Sequence, residues 1–530
     1  MKKNVLLFAF IFVAGFIKAQ VTLPPTHDLS GILTDAGFTW DISYLNGDGT
    51  AEAGENGIKG TVGDFNADGI DDFILTGLHG QNNETGKLGY FRVYEGSSTG
   101  APTLAYSNDE FPIAGNGAVD CYLQSDGSYL VAVQGGALGN WTNPFKAMVF
   151  KLSKNALGYS MEVLQELDFG AGRGSILFLD IDGDGYVDIF QNGWDGVDTW
   201  VAQANVYLND TENYFILQDE SGITPAANLF TVKGDVDNDG DLDLAMAIQG
   251  ASGGAYVYIN DGSGVFQEKL IMAFDEATLG GAVEGSDDAS QVMMVDFNND
   301  KQKDIIVTVT GMFGEPWNFF FKIFKNNGDG TFTELEHKNK AGEATTLYGG
   351  QRSDYAVADF DGDGNEDILF GGENALDGWK CKTYMYLGNG EGGYDQFDVT
   401  DVVVPMSRRG NFGRYLTGDF NGDKKTDVVA AGADYYGNNS SAKVFYGNGM
   451  VISPVQKTEV YTPTVFTSGN TVIVENEHGA SVEIISLSGK TIRMSLITSE
   501  FERITLNEKG IYLVKTIKEN KTGIVKVTIF

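Results

Sequence analysis

Asp180-Ile-Asp182-Gly-Asp184-Gly-Tyr186-Val-Asp188 is the stretch on which the reading of this chain turns. Side-chain oxygens stand at its first, third, fifth and ninth positions and glycine at its sixth. Its seventh residue, Tyr186, is free to offer a backbone carbonyl. Carboxylates this close repel one another unless a cation neutralises them. A calcium shell of six to eight oxygens, at about 2.3–2.6 Å, does so. The pattern returns as Asp64-Phe-Asn66-Ala-Asp68-Gly-Ile70-Asp-Asp72 and Asp235-Val-Asp237-Asn-Asp239-Gly-Asp241-Leu-Asp243. It appears again as Asp296-Phe-Asn298-Asn-Asp300-Lys-Gln302-Lys-Asp304 and Asp359-Phe-Asp361-Gly-Asp363-Gly-Asn365-Glu-Asp367, and finally as Asp419-Phe-Asn421-Gly-Asp423-Lys-Lys425-Thr-Asp427. The residues at positions one, three, five, seven and nine of all six loops are the candidate calcium ligands, giving about six structural sites. No His or Cys lies in the loops, so zinc and copper suit them poorly. Lys301 and Lys424 replace the sixth-position glycine, where positive φ is easiest for Gly, so those two loops are expected to be the poorest sites.

Successive copies start about sixty residues apart, except that the first two are about twice as distant. Val119–Val131 lies where the missing copy belongs and retains Asp126-Gly127, which brings the expected number of units to seven. In each unit an apolar strand ends at the first Asp and a second, such as FILTG or VVAAG, follows the last. A third strand and a Gly-rich hairpin come next, as in VYINDGSGVF at 257–266. Four antiparallel strands per unit, apolar on both faces of the inner pair and without a helical period, predict an all-β fold: a seven-bladed β-propeller over residues 20–455. The 70 Gly against 10 Pro serve turns, with no three-residue period. TWDISYLNGDGT at 39–50 reads as an outer hairpin that helps close the ring. Cys121 and Cys381 read as buried small hydrophobes.

The in-register Asp motif, over roughly 58–450, resembles the FG-GAP and VCBS-type repeat family, propellers related to the integrin α-subunit head. The resemblance implies seven blades with calcium in the loops. It implies no single activity, because members include adhesins, lectins and domains attached to lyases.

The two ends read differently. Residues 1–19 carry Lys2 and Lys3, then an apolar run from Val5 to Ile17, too short to span a bilayer comfortably, and are expected to be a cleaved export signal. From about 456 the Asp-Gly clusters give way to β-branched alternation, which predicts a small C-terminal β-sandwich. Its SLSGK (486–490), GIYLVK (510–515) and terminal KVTIF resemble the C-terminal sorting domain of the type IX (Por) secretion system, although the usual Pro-Asn-Pro opening survives only as Tyr461-Thr-Pro-Thr464. The resemblance implies type IX secretion machinery as a partner and a secreted or cell-surface location.

A net charge of -37 is the wrong sign for nucleic acid or an anionic membrane. On the rim opposite the acidic loops the pattern places Trp141, Trp194, Trp200, Trp317, Trp379, Tyr435 and Tyr436, joined by Arg173, Arg352 and Arg414. Aromatic platforms with guanidinium groups suit glycan rings, including acidic ones. The expected function is a binding protein for extracellular glycan, with protein adhesion as the alternative. No catalytic constellation stands out: GxSxG matches at 96–100 and 250–254 lack a strand-to-helix elbow, and a polysaccharide lyase is the remaining enzymatic alternative.

Overall fold

A computed structural model describes residues 32–38, 58–79, 88–113, 117–136, 145–195, 201–225, 231–248, 253–274, 291–311, 318–374, 380–400, 414–433, 440–448, 464–475, 479–486, 490–499, 501–507, 509–518 and 521–529. Among them there is no helix, and the chain divides into two compact units, Met1–Val451 and Ile452–Phe530.

The first unit is built from four-stranded antiparallel sheets, six of them in chain order from first strand to fourth. Lys59–Gly63, Asp72–His79, Leu88–Glu95 and Thr103–Phe111 make the first. Ala118–Leu123, Tyr129–Gly136, Phe145–Asn155 and Gly158–Glu166 make the second, in the segment whose acidic loop has decayed. The third runs from Ile176–Leu179 through Asp188–Trp194 and Ala202–Asn209 to Phe215–Leu217; the fourth from Thr231–Gly234 through Asp243–Ile248 and Gly254–Ile259 to Gln267–Ala273. Gln291–Val295, Asp304–Gly311, Asn318–Asn326 and Phe332–Leu335 form the fifth, and Gln351–Ala358, Asp367–Asn374, Lys380–Gly388 and Tyr394–Asp398 the sixth.

The seventh sheet takes three strands from Arg414–Gly418, Asp427–Ala433 and Ser440–Gly447, and its outer strand from the other end of the chain, Leu33–Asp35. Leu33 pairs with Gly447 and Asp35 with Phe445. The Ala36 N–H extends the ladder to the Val444 carbonyl at 2.9 Å. The outer hairpin expected at 39–50 lies outside the described residues. The strand that completes this sheet lies just before it.

Second strands are buried on both faces because each sheet is packed between two others. Tyr129–Gly136 and Asp243–Ile248 are buried at every residue, whereas the outer strand Thr103–Phe111 is mostly exposed. Adjacent residues of a second strand point to opposite neighbours. Ile74 shares a core cluster with Val131, Leu130 with Ile189, and Phe190 with Leu244. Ala245 does so with Ile305, Ile306 with Ile368, and Leu369 with Val428. Val429 then meets Phe73, which returns to the first sheet. The succession of packed sheets is therefore cyclic. Burying each such side chain contributes about 1.5–3 kcal/mol.

In the second unit, Thr464–Ser468, Thr471–Glu475 and Phe501–Thr505 form one sheet; Thr491–Leu496, Ser481–Ser486, Gly510–Lys518 and Lys521–Ile529 form another. They share one core, with Val472 and Val474 of the first against Val482, Ile484 and Val514 of the second.

Candidate metal centre

In each acidic loop the residue before the first Asp pairs with the ninth, as Gly63 does with Asp72 and Leu179 with Asp188, so the loop closes on an antiparallel pair. Within this frame one hydrogen-bond scheme recurs. Oδ2 of the first Asp accepts the sixth-position N–H in all six loops, from Gly69, Gly185, Gly240, Lys301, Gly364 and Lys424. Oδ1 of the fifth Asp accepts the N–H of the seventh residue, namely Ile70, Tyr186, Asp241, Gln302, Asn365 or Lys425. Each carboxylate is thus oriented through one lone pair, and others are left for a ligand.

The two loops with lysine at position six keep this geometry. Lys301 adopts φ 70° and Lys424 φ 67°, beside Gly69 at 86° and Gly185 at 86°. A Cβ at Gly69 or Gly185 would meet nothing within 4 Å, so lysine at this place brings backbone strain of about 1–2 kcal/mol and no clash.

The ninth aspartate has a second role that sequence reasoning missed. It is buried in every loop, and its Oδ1 accepts an N–H from the end of the third strand: Gly96 to Asp72, Asn209 to Asp188, Asn260 to Asp243, Asn326 to Asp304, Gly388 to Asp367 and Gly447 to Asp427, at 2.7–2.9 Å. In four loops Oδ2 takes the N–H of the second residue, Ile181, Val236, Phe360 or Phe420. The signal was present: the second position is always apolar and buried, and in these six sheets an Asn or Gly stands at the end of the third strand or immediately after it. Burial pushes the carboxyls of Asp72, Asp243, Asp304, Asp367 and Asp427 up to about 7, and that of Asp188 to about 6.

Three loops bring ligand oxygens close together: Asp180, Asp182 and Asp188; Asp235, Asp237 and Asp239; and Asp359, Asp361 and Asp367, with the oxygens of each group all within 4.8 Å of one another. Oxygens on opposite sides of an ion with bonds of about 2.4 Å are separated by about this much. Asp180 Oδ1, Asp237 Oδ1 and Asp419 Oδ1 are buried without a hydrogen-bond partner, as are Asp72 Oδ2 and Asp304 Oδ2. Buried anionic oxygens without donors are costly, and an oxygen-seeking cation is the partner they fit.

The second sheet shows the alternative. Its loop closes on itself, with Gln124 N–H on the Ser128 carbonyl at 2.8 Å, and the Lys151 ammonium sits 2.8 Å from Asp126 Oδ2. Lys151 and the Ser128 hydroxyl hold the exposed Asp126 carboxyl well below the usual range. There a lysine neutralises the loop's carboxylate.

At the other end of the strands, Trp194 closes the second strand of the third sheet and its backbone bridges Gly172, the residue before Arg173, which adopts φ 52°. Trp141, Trp200, Trp317, Trp379, Tyr435 and Tyr436 lie outside the described residues, as do the side chains of Arg352 and Arg414. First strands of six sheets surround a cavity of about 330 Å³, lined by groups that include Lys59, Asp120, Thr231, Asp354 and Tyr415. Lys233 from the fourth sheet reaches Asp120 of the second at 3.0 Å.

A family model described as an FG-GAP-like repeat matches residues 235–307, which span the Asp235 and Asp296 loops. No curated protein matches the chain. Among solved structures, an α-L-arabinofuranosidase of Fusarium graminearum in complex with an iminosugar inhibitor is similar at 13% identity and TM-score 0.37, over 62% of this chain and 91% of that one. An exo-β-1,3-galactanase of Phanerochaete chrysosporium with galactose is similar at 10% identity and TM-score 0.30, over 94% of each chain. PorZ, a surface component of the type-IX secretion system of Porphyromonas gingivalis, is similar at 10% identity and TM-score 0.22, over 90% of this chain and 81% of its own.

Proposed function

We propose that this chain is a calcium-stabilised seven-bladed β-propeller of the FG-GAP type that acts as a secreted or cell-surface binding protein for extracellular glycan. Residues 1–19 serve as its export signal and residues from about 456 as a type IX sorting domain. The observation that supports the metal reading most directly is the recurrence of one donor arrangement in six loops, with orphaned buried carboxylate oxygens in five of them. The side chains at positions one, three, five and nine would hold the ion, together with the seventh-position carbonyl. Calcium supplies neutralisation there and a clip between the first two strands of a sheet.

The glycan reading rests on the end of the third sheet away from its acidic loop, where the Trp194 backbone pairs with Gly172, next to Arg173 in the chain. An aromatic residue and a guanidinium carried on paired backbone segments at one sheet end suit recognition of a sugar bearing a carboxylate. Affinity electrophoresis in gels containing uronate polysaccharides is the test. Retardation of the wild type should be lost in Trp194→Ala and reduced in Arg173→Met. Equal mobility of all three in every gel counts against this surface. New ultraviolet absorbance from an unsaturated product during the same incubation favours the lyase alternative.

A further inference from the structure

Among the acidic loops, Asp359–Asp367 holds a cation delivered from a different part of the chain. The connector between the fifth and sixth sheets makes a tight turn in which Asn339 Oδ1 accepts the N–H groups of Ala341 and Glu343, and Gly342 N–H returns to the Asn339 carbonyl. The turn is fastened to the hairpin of the sixth sheet at three points. Tyr394 N–H donates to the Lys338 carbonyl at 2.8 Å, Lys340 N–H to Asp395 Oδ1 at 3.1 Å, and Asn389 Nδ2 to the Lys340 carbonyl at 3.2 Å. This scaffold places the Lys340 ammonium 3.1 Å from Asp363 Oδ2 and 3.6 Å from Asp361 Oδ2.

Asp361 belongs with Asp359 and Asp367 to a group of converging oxygens, and Asp363 is the fifth-position donor of the same loop. The lysines at two other loops touch one carboxylate each: Lys325 lies 3.4 Å from Asp300, Lys424 3.2 Å from Asp419 and Lys425 4.0 Å from Asp423. Lys424 and Lys425 belong to their own loop and Lys325 to the third strand of its own sheet. Lys340 stands between two candidate ligands and is anchored from outside.

We propose that the Lys340 ammonium and a divalent cation are alternative occupants of the Asp359–Asp367 loop. This rests on the calcium reading above and deepens it. A monovalent ammonium and a divalent ion a few ångströms apart repel strongly, so the ion enters only as the lysine withdraws. The loop then has a weaker affinity than its four aspartates imply, and filling it frees the Asn339–Gly342 turn from one of its attachments. The connector thereby becomes responsive to calcium concentration, while the Asp180 and Asp235 loops, for which no lysine contact of this kind is described, fill first.

Calorimetric calcium titration of the full chain, its Lys340→Met and Lys340→Arg variants and Asp363→Asn tests this. Lys340→Met should tighten the weakest class of sites roughly tenfold. Lys340→Arg should leave it weak and shows that the position tolerates substitution, and Asp363→Asn should abolish that class. In the wild type, amide exchange of residues 338–344 should quicken when calcium is added. Calcium binding with the same affinities in Lys340→Met as in the wild type overturns the role of Lys340 and leaves the calcium reading standing. No calcium bound by any of the four proteins overturns both.

Discussion

Asp71 and Asp419 hold each other across the join between the first and seventh sheets: Asp71 Oδ2 accepts the Asp419 N–H at 2.8 Å, and the Asp71 N–H donates to the Asp419 carbonyl at 3.0 Å. Ser97 N–H adds a bond to the Phe420 carbonyl at 2.9 Å. Glu366, at the same eighth position of its loop, accepts the Asp296 N–H at 2.6 Å and the Lys303 ammonium at 3.0 Å. An acidic residue at position eight therefore ties its loop to the preceding sheet. Asp71→Ala should lower stability by about 1–3 kcal/mol, because the Asp419 N–H loses its acceptor. Amide exchange at Leu33–Asp35 and Val444 should accelerate together. An unchanged melt with unchanged exchange at both strands removes the seam from the account.

Chelation should destabilise the whole first unit. A site saturated at a hundred times its dissociation constant contributes about 2.7 kcal/mol, and several act together. Calorimetry with EDTA and then with excess calcium should show a melting temperature lowered by many degrees and then restored. Magnesium should restore less, since it keeps its waters and narrower geometry. Identical melts in both buffers contradict the metal reading.

Two aspartates of one loop should separate structure from metal binding. Asp367 is fully buried and accepts N–H groups from Phe360 at 2.9 Å and Gly388 at 2.7 Å, whereas Asp363 is exposed. Asp367→Ala should cost about 3 kcal/mol or more even in chelator, because buried donors lose their acceptor. Asp363→Ala should be near neutral in chelator and destabilising relative to wild type only in calcium. Equal costs for both variants in chelator would refute the division of labour.

The raised ninth-position carboxyls set the pH dependence of the ion-free protein. Asp72, Asp243, Asp304, Asp367 and Asp427 titrate near 7 in the folded chain, against a usual carboxyl value of 3.8, so the folded state holds more protons between these values. Stability in chelator is then greatest below about 4 as far as these groups are concerned, and it is lost as pH rises through 7. Calcium favours the ionised form and should reverse that slope. Melts in EDTA from pH 5 to 8 that rise with pH, as they should in calcium, would contradict this.

Much of this was legible because it is periodic. Asp180, Asp182, Asp184 and Asp188 announce a loop by spacing alone, and the decayed copy at Asp126-Gly127 could be placed because the interval demanded it. The structure shows why decay was tolerated there: Lys151 and Ser128 close the loop. Non-local features were hidden. Leu33–Asp35 is too short to show a strand pattern, and nothing near it points to a partner at Phe445. Lys340 precedes the carboxylates it touches by about twenty residues, and no local rule aims it at them. For the proposed glycan surface only Trp194 and Arg173 fall where side chains are described; the other aromatics lie outside the described residues.

The outermost strand of the last sheet is borrowed from the opposite terminus, with Leu33 opposite Gly447. The circle can be completed only after nearly the whole first unit has left the ribosome. Until then, two unsatisfied edges stay open to stray strands from other molecules. Trimming at residues 32–36 would break one link in the circumference and loosen sheets that the cut does not touch.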